Sequence, residues 1–364
     1  MNTLMQRISP RQQARAMRTI YALPRPVRRL LAGRPIRIDG QELALDMQLL
    51  LRLQRLSGVE LGGGDVAAAR AALSASTQLA EGPRRQDIAV RDLRIPGADG
   101  EIGARLYTPD GVAARSPLLV FFHGGGFVIG DLDSHNAPCE FLAAEAAVRV
   151  LSVDYRMAPE HPFPAAADDA VAAFRYAVTE ADALGADPDA IALGGDSAGG
   201  NLTAVAAHQL ARAGGARPAF LLMFYPATDS NRQTRSRQLF GDGYFLTNAA
   251  MDWFVDHYAP DRATRTDERF AILHAADLSG LPPSYLATGG FDPLRDEGEA
   301  FGRRLADAGC AVVLRRHSDL IHGYINFLGL GPRPREALAE AAGALRTGLV
   351  MTRETLTREQ QDTA

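Results

Sequence analysis

The sequence predicts an α/β fold: a mostly parallel sheet flanked by helices, with a helical cap. Three observations carry this expectation. From Leu118 onward, short apolar runs alternate with helical stretches, the rhythm of strand–helix–strand crossovers. Those runs are short and apolar throughout, as strands covered on both faces are. One of them, Ile191 to Leu193, leads through Gly194-Gly-Asp-Ser-Ala-Gly-Gly200 into the helical stretch 201–210. That is a sharp strand-to-helix turn with a serine at its tip.

The elements follow in order. Residues 1–38 hold nine Arg and no Asp or Glu. An Arg-rich, acid-free N-terminus resembles a transit peptide or a membrane-surface arm. This one lacks the continuous apolar core of a secretory signal and runs into the next helix with no flexible boundary. We read it as a cap segment with a basic face, part of the folded protein. Leu45, Leu49, Leu53 and Leu56 recur at helical spacing and predict a packed helix face. Asp65 is placed to cap an Ala-rich helix over about 65–79. From Gln86 the rhythm changes. Ile88–Ile95 and Ile102–Tyr107 predict a hairpin about Pro96-Gly97-Ala98-Asp99-Gly100, so the sheet opens antiparallel. Strands are expected at 118–122, 150–155, 191–193 and 220–225. Between Pro226 and Leu281 the strand rhythm stops and aromatics gather: Phe240, Tyr244, Phe245, Trp253, Phe254 and Tyr258. An insert at the C-terminal ends of parallel strands lies over any site there. One or two of these rings should touch a ligand, and the rest should pack. A strand at 283–290, a helix at 294–308 and a strand at 311–315 follow; the last is a candidate edge for a homodimer. The polar tail is expected to fray from Thr352. The domain plan is N-terminal cap helices over 1–85, an α/β domain over 86–348 with its cap insert near 226–281, and a C-terminal tail over 349–364.

Composition narrows the function. The chain has 364 residues, 46% of them hydrophobic, enough for one large domain with a subdomain. A net charge of −4 leaves no overall nucleic-acid footprint. No apolar run approaches the ~20 residues a membrane-spanning helix needs. All 39 basic residues are Arg. The two cysteines, Cys139 and Cys310, are expected to be buried thiols, which fits a reducing, cytoplasmic compartment.

The chemistry is carried by three stretches. Gly195-Asp-Ser-Ala-Gly199 is a G-x-S-x-G turn that leaves the Ser197 hydroxyl free, with a helix N-terminus pointed at it. Pro117–Phe122 runs into His123-Gly-Gly-Gly-Phe127, where glycines leave backbone N–H groups open to an anion, as an oxyanion hole requires. The residue after the nucleophile, Ala198, supplies a second kind of donor. No phosphate-loop pattern accompanies these glycines. A serine needs a base, and the base an orienting acid, in the chain order serine, acid, histidine. Asp292 and His322 each follow a late strand, at the same sheet edge as Ser197. Their rivals are Asp319 as the acid and His317 as the base. Asp296 and Glu297 are expected on a solvated helix face, and His317 half-exposed. His123 is expected to hold the glycine loop by hydrogen bonds.

The stretches His123–Asp133, Asp154–Pro164, Gly195–Gly200, Asp292–Glu297 and Ile321–Tyr324 resemble the hormone-sensitive-lipase-like (bacterial family IV) carboxylesterases, which also resemble arylacetamide deacetylases. The resemblance covers roughly residues 85–348 and departs mildly at Tyr324 (commonly Phe) and Met157 (commonly Leu). It implies an α/β-hydrolase fold with no cofactor, a triad of Ser197, Asp292 and His322, and an oxyanion hole from the N–H groups of Gly125, Gly126 and Ala198, with Gly124 a further contributor. It also implies an N-terminal helical lid. The expected reaction is hydrolysis of short- to medium-chain acyl esters through an acyl-enzyme, with an amidase or deacetylase as the alternative. The implied partner is a small-molecule ester, with no lipid-binding surface and no metal. A plant receptor of this family has lost its histidine; here His322 is present.

Overall fold

The computed structural model describes residues 10–58, 61–229 and 233–362. The first residues of the basic segment, 1–9, lie outside that range, as do the last two of the tail. Helices α1 (Pro10–Ala22) and α2 (Arg25–Ala32) lead into a short hairpin, β1 (Arg37–Ile38) and β2 (Gln41–Glu42). Helices α3 (Leu45–Ser57) and α4 (Val66–Ala80) follow. The Asp65 side chain caps α4 by accepting from the Ala68 N–H at 2.9 Å. On α3, Leu49 is buried, Leu45 and Leu53 are half-buried, and Leu56 is exposed.

The main sheet contains, in chain order, β3 (Ile88–Pro96), β4 (Glu101–Pro109), β5 (Ser116–Phe122), β6 (Arg149–Asp154), β7 (Ala186–Asp196), β8 (Leu221–Phe224), β9 (Ser284–Phe291) and β10 (Val312–Ile321). Their spatial order is β10-β9-β8-β7-β5-β6-β4-β3. Strand β4 runs antiparallel to β3 and β6, and the remaining neighbours are parallel. The helices after the hairpin are α5 (Asn136–Ala146), α6 (Ala165–Thr179), α7 (Ala181–Leu184), α8 (Ala198–Ala213), α9 (Arg235–Phe240), α10 (Asn248–Tyr258), α11 (Arg295–Asp307) and α12 (Pro332–Asp362).

Strand alternation splits the core into two layers. Leu118, Val120 and Phe122 of β5 face Phe174 of α6 and Leu202 of α8. Leu119 and Phe121 face the opposite layer, with Leu142 of α5 and Leu345 of α12. The N-terminal helices join that second layer through Tyr21, Ala32, Met47 and Leu51. The cap is completed by the insert after β8, with α9 and α10 where the strand rhythm stops.

Two element expectations change. Strand β10 runs to Ile321, past the expected end at residue 315, because its far end rejoins β9 at Phe291 after an irregularity. The expected C-terminal tail is the second half of α12, which continues to Asp362, and Thr352 donates from Oγ1 to the Ala219 carbonyl at 3.1 Å. Among the described residues no helix is long and apolar enough to cross a membrane.

Candidate active site

Strand β7 ends at Asp196 and α8 begins at Ala198, which leaves one residue for the turn. Ser197 makes that turn at φ 55°, ψ −115°, a left-handed conformation that costs a non-glycine residue about 1–3 kcal/mol. The neighbours hold it there. The Ser197 N–H donates to the Phe224 carbonyl at 2.9 Å, and its own carbonyl accepts from Asn201 and Ala227. Strand β5 passes so close beneath the start of α8 that a Cβ on Gly199 would strike the Phe122 carbonyl oxygen.

The turn lifts the Ser197 hydroxyl to 3.0 Å from His322 Nε2. His322 Nδ1 lies 2.9 Å from Asp292 Oδ2. Asp292 is fully buried, and its Oδ1 accepts from the Leu294 N–H at 2.8 Å. Asp292 directly follows β9 and His322 directly follows β10, so adjacent parallel strands deliver both to one edge. With the Nδ1 proton turned to the buried carboxylate, Nε2 accepts from the serine hydroxyl.

The loop after β5 supplies the donors. Gly126 sits at φ 61°, and a Cβ there would run into the Phe254 ring. Among the described residues the N–H groups of Gly125, Gly126 and Ala198 have no hydrogen-bond partner, and all three residues line the cavity at Ser197. Gly124 departs from the expectation: its N–H donates to Asp196 Oδ1 at 2.8 Å and is not free for an oxyanion. The cavity measures about 100 Å³. Its walls include Leu73 of α4, with Leu246, Met251, Phe254 and Phe270 of the insert.

This geometry has close relatives. Residues 119–326 match the family described by the alpha/beta hydrolase fold. The chain is 47% identical over 337 residues to the carboxylic ester hydrolase LipN of Mycobacterium tuberculosis, across 90% of this chain and 89% of that one. The chain belongs to the hormone-sensitive-lipase-like α/β hydrolases and is a carboxylic ester hydrolase. It is also 37% identical to an ethyl acetate hydrolase of Pseudomonas putida, over 77% of this chain and 90% of that one. Among solved structures it resembles an ester hydrolase from the metagenome of Lake Arreo, bound to a bipyridine phosphonate derivative. That likeness has a TM-score of 0.80 and 39% identity, over 84% of this chain and 98% of the other.

The rival residues of the hydrolase have other partners. Asp319 is held by Arg333 at 2.6 and 2.9 Å, and its carbonyl accepts from the Ala44 N–H. His317 is buried, not half-exposed; its ring meets Tyr324 edge-on, and neither ring nitrogen has a hydrogen-bond partner. Burial lowers its pKa to about 4. His123 holds the glycine loop as expected: Nδ1 lies 2.8 Å from the Gly124 carbonyl, and the ring stacks on Tyr155. Burial, helped by the neighbouring His135, lowers its pKa to about 4 and keeps it neutral. Glu297 corrects the expectation of a solvated face. It is buried, takes Arg237 Nη2 at 2.9 Å on Oε2 and receives the Thr228 and Asp229 N–H groups on Oε1. Asp296 is half-buried and accepts from the Ser236 N–H. Cys139 is buried, but Cys310 is only half-buried, its Sγ donating to the Leu278 carbonyl.

Two residues escaped the sequence reading. Asp196 and His135 form a buried pair at 3.2 Å beneath the glycine loop. Burial pushes the Asp196 carboxyl up, but the charge and hydrogen bond of His135 and the Gly124 N–H outweigh it and leave the pKa lowered. Asp196 thus joins the serine turn to the glycine loop. The available signal was an acid beside Ser197 inside a buried turn, where an unpartnered carboxylate would be costly. Among the described residues no group of three or more His, Cys, Asp or Glu is arranged to hold a metal ion.

Proposed function

We propose that the hydrolase cleaves short- to medium-chain acyl esters through a Ser197–His322–Asp292 triad. The observation that carries this reading is the continuous hydrogen-bonded line from Asp292 through His322 to the Ser197 hydroxyl, beside three unpartnered N–H groups. Ser197 Oγ attacks the ester carbonyl carbon while His322 Nε2 takes its proton. Asp292 holds the imidazole in the required tautomer and stabilises its cationic form. The Gly125, Gly126 and Ala198 N–H groups donate to the oxyanion. Collapse expels the alcohol, which takes the proton back from His322 and leaves an acyl-serine. Water, deprotonated by His322, then releases the acid and restores the serine.

The acyl preference is supported by the small, apolar cavity and by Phe254, which packs over Gly126. The test is a panel of p-nitrophenyl esters of rising chain length, assayed with wild type and Ser197→Ala. Wild type should peak at short or medium chains. A folded Ser197→Ala protein should lose about 10³-fold or more in turnover. Residual activity within a few-fold of wild type would displace Ser197 as nucleophile. A peak at long chains would displace the chain-length reading alone. A homodimer through the edge strand β10, whose Val313 and Leu314 are exposed, belongs to the same reading and is tested by light scattering. So does a cytoplasmic working place, supported by two free thiols.

A further inference from the structure

The wall of the cavity at Ser197 is built from Leu246, Met251 and Phe254 and also from a charged side chain, Arg237 of α9. Arg237 is only 6% exposed. A guanidinium carries five N–H bonds and no acceptor, and a donor left dry is costly, so a buried arginine is ordinarily met by several acceptors. Here, among the described residues, Nη2 is the only engaged nitrogen, donating to Glu297 Oε2 at 2.9 Å, and Nε is buried without a partner. The pair is fixed from behind. Glu297 Oε1 accepts from the Thr228 N–H at 2.9 Å and the Asp229 N–H at 3.2 Å. Both residues follow Ala227, whose N–H donates to the Ser197 carbonyl at 3.1 Å. The guanidinium is therefore tied to the serine turn and shares its cavity. All three bonds to Glu297 come from donors, the pattern of a carboxylate. Asp229 also lines the cavity and meets His274 Nε2 at 2.9 Å, so acidic groups already balance the one cation.

We propose that Arg237 is a specificity residue: its unengaged donors receive an uncharged oxygen, a ketone or ether oxygen, that the ester carries away from its scissile carbonyl. The proposal rests on the reading that Ser197 cleaves esters in this cavity, and it names the class of ester. An acceptor is required because a guanidinium only donates. An all-alkyl ester would cover Nε and give up any water there without replacing its hydrogen bond, and sites built to bond a substrate oxygen discriminate against analogues that lack it. The oxygen is uncharged because the wall has no spare positive charge. A carboxylate would sit beside Glu297 and Asp229 and gain only a cation that Glu297 already holds. The cavity measures about 100 Å³, so a substrate filling it lies beside Ser197 and Arg237 together.

The experiment compares kcat/KM of the full chain on esters of matched shape. Ethyl isocaproate, ethyl levulinate and monoethyl succinate carry a methyl, a keto oxygen and a carboxylate at one position of the acyl side. Isobutyl acetate and acetonyl acetate make the same alkyl-to-keto change on the alcohol side. Alkaline hydrolysis rates of each pair correct for intrinsic reactivity. On one side or the other, wild type should favour the keto ester over its alkyl match by at least about tenfold. Monoethyl succinate should fall below ethyl levulinate. Arg237→Lys keeps a cation for Glu297 but spends its single head on it, so the keto-to-alkyl ratio should drop to within about twofold of unity. Only the ratio is read, so a general loss of activity cancels. A melting curve reports whether the variant is folded, and the wild-type ratios decide the matter alone if it is not. Three results overturn the proposal: corrected wild-type ratios near unity on both sides, a keto preference that survives in folded Arg237→Lys, or monoethyl succinate preferred to ethyl levulinate. Failure to hydrolyse any of these esters, the all-alkyl ones included, would remove the esterase reading and this one with it.

Discussion

Two carboxylates and two histidines near the end of the chain compete for the serine, and their partners separate them. Asp292 spends Oδ2 on His322 and Oδ1 on the Leu294 N–H, while Asp319 is saturated by Arg333. Asp292→Asn keeps the shape but favours the wrong imidazole tautomer, so turnover should fall by about 10³–10⁴. Asp319→Asn should stay within a few-fold of wild type in the same assay. The reverse ranking would move the orienting role to Asp319. His317 offers a test of a different kind. Its pKa falls from 6.5 to about 4 through burial, with Glu340, Arg315, Arg333 and Asp319 as its charged neighbours. The sign follows from proton uptake. Above pH 6.5 the ring is neutral both folded and unfolded; between 6.5 and about 4 the unfolded chain binds a proton that the folded protein refuses. Stability is therefore full above 6.5 and falls as pH drops toward 4, by up to about 3 kcal/mol for this one ring. His317→Phe keeps the edge-on contact with Tyr324 and removes two unpartnered nitrogens. Melting curves against pH should show an unchanged or higher melting point at neutrality and a shallower acid-side fall. His123 is buried with the same direction of shift, so part of the fall should remain.

At the scale of elements, a side chain of α4 ties the N-terminal cap to the residues that follow the glycine loop. Arg70 of α4 donates from Nε to the Val128 carbonyl at 2.8 Å and from Nη2 to the Ala158 carbonyl at 3.0 Å, and it forks onto Glu160. The exposed half of that fork contributes little. The two bonds to backbone carbonyls are charge-assisted, and losing them leaves carbonyls under the cap without donors. Arg70→Met retains most of the stem and removes the fork. It should cost about 2 kcal/mol and lower the melting temperature by about 4 °C. Because Val128 lies two residues past Gly126, kcat should fall several-fold with little change in KM. A loss of stability with kcat intact would mean that the clamp serves only the fold. The elements show what the sequence revealed. The turn at Ser197, the glycine loop and the strand ends bearing Asp292 and His322 were legible because each needs particular residues at fixed spacing. Arg70 was not, because nothing local marks an arginine on an Ala-rich helix as reaching a loop some 58 residues away. Glu297 misled for a related reason. A charged residue in a helix is ordinarily solvated, and its burial depends on Arg237, which the insert brings over it.

For the whole molecule, the sequence predicts that the basic N-terminus belongs to the fold. The described part of it does: Tyr21 and Ala32 are buried, the Tyr21 hydroxyl donates to the Asp46 carbonyl at 3.0 Å, and Arg28 pairs with Asp46. The sequence did not reveal which face of α2 would be turned outward. Its arginines and leucines alternate within two turns, and only the positions of Asp46 and Gln48 on α3 decide the inward side. Deleting residues 2–38 separates the roles of the segment. Removal uncovers Met47 and Leu51 on α3 and leaves Asp46 without Arg28, so the melting temperature should drop by about 5 °C or more. The serine turn, the glycine loop, Asp292 and His322 all lie beyond residue 120 and keep their own hydrogen bonds. The truncated enzyme should therefore still be labelled by a small organophosphate at near wild-type rate. Its ester panel should shift toward longer chains, because α1 no longer braces α4 against the cavity. An unchanged melting curve and an unchanged panel would make the segment a dispensable arm.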